Sequence, residues 1–423
     1  MRGWAKKKTY WNQLTKYSLT FGEGDFRCEV FKEVEDGILV PRAYEDFKYE
    51  DEDLCLGESI REMDPINLRE EQVPAVEAVV NALDRPGKGA ILFAPCGKGK
   101  TVMGLEMIRR LGRKALVLVH KSFLVDQWVE RVSTFLPNAK VGLWQRDTVP
   151  TGDEDIVIGM VQSIVNPKRQ YPEELYEMFG TIVADETHRY AAPMWQDAIS
   201  NFGAAYRIGL TATPERKDGL HHVFYLHIGP IVYWMEGHKR QPTIWRINTD
   251  TTFPQKSYLL YNGDVNTSKL VTMISQVKER TDRIVDFAYR ALKKGRRVLI
   301  LSERVAHTKE MCELLKSKVS DDFTCAVYIG GMKQAQRERA AEADVICGTY
   351  AMAQEGLDIP ALDTLILATP KTSITQSVGR ILRDAPDKKD PVVVDFVDPC
   401  IPIMNAYWGA RKKTYTNLGY LFL

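Results

Sequence analysis

The chain has 423 residues, of which 44% are hydrophobic and 27% charged, and its formal net charge is +1. This length is enough for two or three domains with buried cores, and the composition excludes a disordered chain. No apolar run approaches the roughly 18 residues that span a bilayer, and the opening MRGWAKKKTYW lacks an apolar secretory segment, so we expect an intracellular, cytoplasmic protein.

The seven cysteines are scattered without a CxxC pair, which gives no support for a zinc ribbon or a disulfide framework. The balanced net charge means that nucleic-acid binding would depend on local patches. Two segments, AKKKTYW at 5–11 and WGARKKTYTNLGY at 408–420, interleave aromatic side chains with basic ones. Each segment either contacts nucleic acid or is a solvated tail.

The first 66 residues predict a small accessory domain. FRCEVFKEVEDGILVPRAY at 26–44 is typical of a small β-meander with a turn at Glu35, Asp36 and Gly37. The acidic run YEDFKYEDEDLCLGE at 44–58 then predicts a linker or a solvated face.

From about residue 88, short apolar runs alternate with amphipathic helical patterns. GAILFAP, KALVLVH, EDIVIGM, TIVADE and YRIGLTAT predict buried strands, and GKTVMGLEMIRRLG and KSFLVDQWVERVSTF predict helices between them. Such alternation indicates a parallel sheet covered by helices.

The pattern fades between about 230 and 275 and then restarts. RRVLILS, TCAVYIGG, ADVICGTY, DTLILATP and PVVVDFV predict a second strand series, with helices such as RVAHTKEMCELLKSK. We therefore expect an α/β fold with two parallel-sheet domains in tandem, at 67–235 and 276–423, joined by a linker at 236–275 and preceded by a β-rich accessory domain at 1–66.

The segment APCGKGKT at 94–101 lies between a predicted strand and a predicted helix, as a phosphate-binding loop does. Backbone N–H groups around Gly97, Lys98 and Gly99 would line the anion, in front of the helix N-terminus. Lys100 would reach the β and γ phosphates of ATP, and Thr101 would bind Mg²⁺. Alone, the loop is equally compatible with a kinase or a switch protein.

Asp185, Glu186 and His188 follow the predicted strand TIVADE, so they should emerge at the same edge of the sheet as the loop. Asp185 could hold Mg²⁺ while Glu186 orients and deprotonates the attacking water. The alternative is an acidic pair that caps a helix.

The side chains of Gln376, Arg380 and Arg383 in TQSVGRILRD have helical spacings of four and three, so they can share one face. Arginines presented by a second domain to a γ-phosphate accelerate phosphoryl transfer by about 10³ to 10⁵. The alternative is an exposed basic helix face.

Taken together, these motifs resemble those of superfamily 2 helicases with D-E-x-H in motif II, over about 66–400. NLREEQ is similar to the Q motif, LVHKSFLVDQW to motif Ia, MVQSI to the following strand-contacting motif, LTATPERKDG to motif III, LILSERV to motif IV, GTYAMAQEGLDIP to motif V and QSVGRILR to motif VI. The resemblance implies two RecA-like domains, with Arg69 and Gln72 at adenine and Gly356 and Asp358 of motif V at the nucleotide. It also implies that His188 couples to motif VI through Gln376, although a lone histidine at a strand end is otherwise more often structural.

Within this superfamily the chain most resembles the XPB-like group, through RYAAPMW after motif II, PERKDGLHHVFYLHIGPIVY after motif III and EGLDIP in motif V. Arg216, Lys217 and Asp218 align with that group's Arg-Glu-Asp element, but Lys217 reverses the acidic charge. The alternative is a charged loop. The resemblance implies nucleic-acid contacts at Lys121, Gln162, Ser163, Arg216, Lys217, Arg304, Gly330 and Thr349, mainly to the backbone.

We therefore expect an ATP- and Mg²⁺-dependent helicase or translocase that acts on single-stranded, forked or branched DNA in replication, recombination or repair, moving 3′ to 5′ as the family does. An RNA helicase is one alternative. An ATP-dependent DNA-binding remodeller that does not separate strands is another.

Overall fold

The computed structural model describes residues 4–8, 19–21, 28–34, 37–44, 54–84, 87–95, 97–213, 220–237, 241–319, 323–355, 359–383, 385 and 387–423. The chain divides into two compact units, Met1–Gly237 and His238–Leu423. In the described residues no helix is long and apolar enough to cross a membrane.

The N-terminal region contains short antiparallel strands, as its β-rich pattern predicts. They are β1 (Trp4–Lys8), β2 (Thr20–Phe21), β3 (Cys28–Glu29), β4 (Lys32–Val34) and β5 (Gly37–Pro41), paired in the orders β1-β5-β4 and β2-β3. Glu35 and Asp36 of the predicted turn lie outside the described residues, as do Tyr10 and Trp11 of the first basic segment. Arg42 is buried, and its guanidinium donates to the backbone oxygens of Gly203 and Ala204 in the same unit.

The C-terminal part of the acidic run is not a free linker, because residues 54–61 lie along the amino edge of the first sheet, with Leu56 and Glu58 exposed. Glu58 O accepts from Lys114 N at 2.8 Å, and the Glu58 carboxylate pairs with Lys114 Nζ at 2.7 Å. A Cβ at Gly180 would lie only 1.8 Å from Leu56 O. Since the ends of parallel strands leave backbone groups unpaired, this segment is held by pairing with them.

The first unit contains a parallel seven-stranded sheet in the order β12-β6-β11-β10-β7-β9-β8. Its strands are β6 (Gly89–Phe93), β7 (Ala115–Val119), β8 (Val141–Trp144), β9 (Ile156–Met160), β10 (Thr181–Asp185), β11 (Tyr206–Thr211) and β12 (Ile231–Trp234). Its helices are α1 (Val73–Ala82), α2 (Lys100–Leu111), α3 (Ser122–Phe135), α4 (Val161–Ile164), α5 (Glu174–Glu177), α6 (Pro193–Ser200) and α7 (His221–His227), with 3₁₀ turns at Glu70–Gln72 and Thr187–Ala191. Separate apolar clusters cover the two faces of this sheet.

The second unit repeats this architecture with a parallel sheet in the order β15-β16-β14-β17-β18-β13-β19. Its strands are β13 (Thr243–Asn248), β14 (Val298–Ser302), β15 (Cys325–Tyr328), β16 (Val345–Thr349), β17 (Thr364–Leu367), β18 (Val392–Val397) and β19 (Leu421–Phe422). Its helices are α8 (Thr267–Ser275), α9 (Lys278–Lys293), α10 (Val305–Lys318), α11 (Gln334–Ala341), α12 (Tyr350–Glu355), α13 (Thr375–Gly379) and α14 (Pro402–Asn417), with a 3₁₀ turn at Gln255–Tyr258. The predicted fold class, two RecA-like α/β domains in tandem, is confirmed.

The predicted linker at 236–275 needs correction, because part of it is a strand of the second sheet. Thr243–Asn248 pairs in parallel along the whole of Val392–Val397, and Ile244 is fully buried. Of its six residues only Ile244 is buried, and the polar residues of TIWRIN interrupt the continuous apolar run that predicts the other strands.

The second basic and aromatic segment lies mostly in helix α14 and not in a solvated tail, and one face of this helix is buried. Trp408, Arg411 and Tyr415 lie on one face of α14 at spacings of three and four, and all three are buried. Arg411 donates to both carboxylate oxygens of Asp395 at 2.8 and 2.9 Å. Of the basic residues in this segment, only Lys412 and Lys413 are exposed.

Candidate active site

The phosphate-binding loop connects β6 to α2 at the carboxyl edge of the first sheet. Gly97 and Gly99 have φ angles of 87° and 82°, in the left-handed region that favours glycine. A Cβ at Gly99 would also lie 2.4 Å from Gln72 Nε2. Both glycines are therefore required by the loop itself, whereas Cys96 lies outside the described residues.

Lys100, the first residue of α2, bends back over the loop. Its Nζ donates to Ala94 O at 3.1 Å, which keeps the ammonium beside the unpaired N–H groups of the helix start. Thr101 follows in the first turn and is half-buried. The loop thus brings a cation, a hydroxyl and backbone donors together, as phosphate binding requires.

Gln72, one of the two residues predicted to contact adenine, holds the phosphate-binding loop from outside. The Gln72 amide, which is buried, accepts from Arg69 N at 3.0 Å and donates to Lys98 O at 2.8 Å. The Lys98 ammonium pairs with Glu71 at 2.7 Å. Gln72 therefore fastens the loop to the segment before α1, and its recognition of adenine together with Arg69 stays a prediction.

Asp185, the last residue of β10, is buried and held by two donors. Its carboxylate accepts from Trp128 Nε1 at 3.0 Å and from Glu186 N at 2.9 Å. Burial, and then repulsion from Glu186, raise the pKa of Asp185 to about 6 against the Trp128 hydrogen bond and the charge of Lys100. Lys100 and Asp185 are thus close enough to interact electrostatically.

The sequence motifs do not identify Trp128 as a site residue, although Gly104 within α2 indicates close packing beside it. A Cβ at Gly104, in the middle of α2, would lie 3.2 Å from Trp128 Cη2. Glycine inside a helix costs roughly 1 kcal/mol relative to alanine, so Gly104 indicates close packing at that position. The packing there places the indole N–H on Asp185.

Glu186 has a φ of 50°, which is uncommon for a residue with a side chain. Its Oε2 lies 3.4 Å from His188 Nδ1, and within the described residues this buried oxygen has no hydrogen-bond partner. A buried carboxylate oxygen without a donor is suited to accept a proton from a bound water.

His188 connects motif II to motif III within the first unit. Its Nδ1 lies 2.8 Å from Thr213 Oγ1 and 3.4 Å from Thr211 Oγ1. Thr211 Oγ1 also donates to Thr213 O at 2.9 Å. Sequence reasoning named motif III but missed this link, and the pairing of His188 with Gln376 stays a prediction.

The candidate nucleic-acid contacts of the first unit occupy the carboxyl edge beside the ATP site. Lys121 precedes α3, and Gln162 Nε2 donates to His120 O at 3.0 Å. Ser163 is buried, and its Oγ accepts from Arg146 N at 2.9 Å, so it faces the protein interior.

Arg216, Lys217 and Asp218 lie outside the described residues. His120, which precedes the candidate contact Lys121, is buried, and neither of its ring nitrogens has a hydrogen-bond partner in the parts of the chain that the structure describes. Burial, and then the charge of Arg189, lower the pKa of His120 to about 3.

In the second unit, the candidates at the carboxyl edge have different surroundings. The Arg304 guanidinium donates to Thr272 Oγ1 at 2.8 Å and to Ser268 O at 2.7 Å, so it is engaged by α8 instead of being open to a ligand. Gly330 is exposed, with space around its Cα, and Thr349 ends β16 and is buried.

Motif VI is only partly helical, which corrects the predicted single helix face. Helix α13 ends at Gly379, and tighter bonds such as Arg380 N to Ser377 O at 3.2 Å continue the turn. The Arg380 side chain donates from Nε to Ala353 O at 2.7 Å. Gln376, Arg380 and Arg383 are all partly exposed, whereas Gly356 and Asp358 lie outside the described residues.

The donor set fits Mg²⁺ held together with a nucleotide. Among the described residues no group of three His, Cys, Asp or Glu side chains could hold a metal ion. Mg²⁺ in nucleotide sites needs only one or two protein ligands beside phosphate oxygens. Thr101 and Asp185 are at the same sheet edge, and the raised pKa of Asp185 indicates a carboxylate that a cation would stabilise.

Two family models and a viral relative match most of this chain. The family model "Type III restriction enzyme, res subunit" matches residues 65–216, and "Helicase conserved C-terminal domain" matches residues 279–385. A relative from Acanthamoeba polyphaga mimivirus, described as a "Putative ATP-dependent RNA helicase", is 34% identical over 358 residues, which are 83% of this chain and 67% of the relative.

Two solved structures share the fold. S. cerevisiae Dbp5 bound to RNA and ADP BeF3 has a TM-score of 0.56 at 12% identity, covering 85% of this chain and 95% of that one. The ATP-dependent Type ISP restriction-modification enzyme LlaBIII bound to DNA has a TM-score of 0.52 at 17% identity, covering 78% of this chain and 28% of that one. From the two matched domains and the mimivirus relative we conclude that this chain belongs to the superfamily 2 helicases.

Proposed function

We propose that this helicase binds single-stranded, forked or branched DNA. It would move 3′ to 5′ and unwind or branch-migrate DNA in replication, recombination or repair. The match of residues 65–216 to the restriction-enzyme res subunit supports a DNA track. The XPB-like segments RYAAPMW and PERKDGLHHVFYLHIGPIVY support it independently.

The observation that carries the ATPase part of the proposal is the meeting of Lys100, Asp185 and Glu186 at one sheet edge. Lys100 would bind the β and γ phosphates, and Asp185 with Thr101 would hold Mg²⁺. Bound Mg²⁺ would neutralise developing phosphate charge. Glu186, whose Oε2 has no hydrogen-bond donor within the described residues, would orient the attacking water and take its proton.

The proposal assigns motif VI the role of responding to the γ-phosphate. Arg380 and Arg383 would supply positive charge to the transition state, with Gln376 relaying this to His188. His188 in turn contacts Thr211 and Thr213 of motif III. Hydrolysis would thereby be coupled to domain movement.

An RNA track is the second candidate, favoured by the description of the mimivirus relative as an RNA helicase. The proposed engine would be the same, because phosphate contacts carry little sequence information. A protein that binds forked DNA and hydrolyses ATP without separating strands is the third candidate.

ATPase rates with single-stranded DNA and with RNA of equal length test the choice of track. We expect strong stimulation by DNA, and loss of activity in Lys100→Ala and in Glu186→Gln. Lys294→Ala removes an exposed lysine between α9 and β14, at the amino edge of the second sheet, and serves as the matched control with wild-type activity. Stimulation by RNA alone would reject the DNA track, and unchanged hydrolysis in Lys100→Ala would reject the site.

Strand separation is tested on forks with 3′ or 5′ tails, with a Holliday junction and an RNA–DNA duplex beside them. We expect ATP-dependent unwinding from the 3′ tail. Tight fork binding with hydrolysis but neither unwinding nor branch movement would favour the third candidate.

A further inference from the structure

A turn in the second unit presents an aromatic side chain that the described residues do not cover. Tyr261 is 113% exposed and its neighbour Leu260 is 47% exposed. Single exposed apolar residues are ordinary, but these two are adjacent. The ring is fully exposed and is therefore accessible to a ligand.

The turn that carries Tyr261 is closed by its own hydrogen bonds. Leu260 N donates to Asp264 O at 2.8 Å, and Gly263 N donates to Leu260 O at 3.0 Å. The Asn262 amide donates to the Asp264 carboxylate at 2.7 Å and accepts from its backbone at 3.1 Å. The backbone under the ring is therefore fixed before any ligand arrives, which lowers the entropic cost of binding.

The base of the turn is anchored in an apolar cluster. Leu259 and Val265 form an antiparallel bridge. Tyr258, just before the turn, is buried with Leu270 and Met404 in one cluster. Buried apolar contacts at its base therefore anchor the turn that carries Tyr261.

The turn also lies close to the carboxyl edge of the second sheet. Asn266, which ends it, caps α8 by accepting from Lys269 N at 2.9 Å. Ser268 and Thr272 of α8 accept from Arg304, which follows β14 at that edge. Motifs IV and V, with their candidate nucleic-acid contacts, occupy the same edge.

The charges beside the turn complement a nucleic-acid backbone. Lys256 and Lys269, on the elements that flank it, are both exposed. Asp264, the one acidic residue of the turn, keeps its charge and accepts a hydrogen bond from the Asn262 side chain at 2.7 Å. An exposed aromatic ring with an exposed lysine on each flanking element suits a base and its neighbouring phosphates.

We propose that Tyr261 stacks on an unpaired nucleobase of the bound strand while Lys256 and Lys269 contact the neighbouring phosphates. This inference rests on the proposed function, because it requires that nucleic acid pass over the carboxyl edge of the second sheet. It adds a base contact to a site whose other candidates bind backbone. Arg304, tied to α8, would position the turn relative to motif IV.

Fluorescence anisotropy with labelled oligo-dT and oligo-rU of equal length tests the inference in the full chain. Tyr261→Ala should weaken binding about tenfold, whereas Tyr261→Trp should bind at least as tightly as wild type. The melting temperature of Tyr261→Ala should equal that of wild type, because the ring is fully exposed. Phe422→Ala removes an exposed aromatic from β19 and should leave affinity unchanged.

Photocrosslinking locates the contact directly. An oligonucleotide with 5-iododeoxyuridine at successive positions should crosslink to Tyr261 from one position, as identified by mass spectrometry. If wild type binds but Tyr261→Ala binds equally and no crosslink reaches the turn, the stacking inference is overturned while the proposed function stands. If wild type binds neither oligonucleotide, the proposed function and the inference fail together.

Discussion

Asp185 is a carboxylate that ionises reluctantly, because it is buried and lies beside Glu186, with a pKa of about 6. Only the ionised form can hold Mg²⁺, so we expect kcat/KM for ATP to fall about tenfold for each pH unit below 6. Trp128→Phe removes the donor that lowers this pKa and should move the inflection to higher pH. ATP itself titrates identically in both assays, so it cannot cause a difference between the two proteins. If the inflection in the pH profile of kcat/KM does not move in Trp128→Phe, the profile reports a group other than Asp185.

The Asp185 carboxyl group should affect stability and activity in opposite directions. Activity is lost as pH falls, whereas the contribution of Asp185 to the stability of the free protein is lost as pH rises. Its pKa is raised in the folded state, so its stabilising contribution is present below the unfolded pKa of about 3.9 and is lost as pH rises through 6. His120 and His307 act in the other direction, because burial lowers each pKa to about 3 and folding disfavours their protonation. The contribution of Asp185 is therefore measured as the difference between the free energies of unfolding of wild type and Trp128→Phe, obtained from urea titrations across pH 4–7.

At the scale of single elements, α14 is held by an ion pair with no exposure to solvent. Arg411 and Asp395 are buried together, Arg411 also donates to Lys371 O at 2.8 Å, and Tyr415 donates to Asp395 at 2.9 Å. Arg411→Ala would strand a buried carboxylate, so we expect a loss of about 3–5 kcal/mol in the free energy of unfolding. Lys412→Ala, one position along on the exposed face, should cost less than about 0.5 kcal/mol in the same denaturant titration.

A cost for Arg411→Ala as small as that for Lys412→Ala would contradict the buried pair. The double variant Arg411→Met with Asp395→Leu removes both charges, so it should lose less than the sum of its single changes. Where Arg411→Ala is too unstable to purify, this double variant keeps the comparison measurable.

Elements that are buried along their whole length could be predicted from sequence, whereas most strands at sheet margins could not. Edge strand Cys325–Tyr328, which lies within the predicted strand TCAVYIGG, is an exception. The central strands, such as Ala115–Val119 and Val298–Ser302, are buried at every residue and give continuous apolar runs. Edge strand Ile231–Trp234 and the strand Val141–Trp144 are only partly buried, so they give no such run. Similarly, alternating basic and aromatic residues in α14 suggested a binding patch because composition does not reveal which helix face is inside.

The candidate active site was predictable to the extent that its chemistry follows strand ends. The order of strand, loop and helix was enough to bring Lys100, Asp185 and Glu186 to one edge. The side chains that hold these site residues in place could not be predicted, since the hydrogen bond from Trp128 to Asp185 joins residues 57 apart in sequence. The two side chains meet only through the packing of α3 on the sheet.

At the scale of the whole molecule, the boundary between the two units lies before β13 and not after it. Strand Thr243–Asn248 covers Val392–Val397 along its full length, and β19 pairs only with it in the sheet order. Thr249 Oγ1 also donates to Asp398 at 2.6 Å, and the same carboxylate pairs with Arg280 at 3.0 Å. Residues 243–249 therefore complete both the sheet and a buried polar network.

A fragment of residues 241–423 should accordingly fold alone, whereas a fragment of residues 276–423 should not. The shorter fragment would leave β18 with an unpaired apolar edge and β19 without a partner, so we expect aggregation or a broad thermal transition. The longer fragment should unfold in one cooperative transition by circular dichroism and calorimetry. Equal cooperativity in both fragments would place the boundary back near residue 276, because β13 would then contribute pairing without being required for the core.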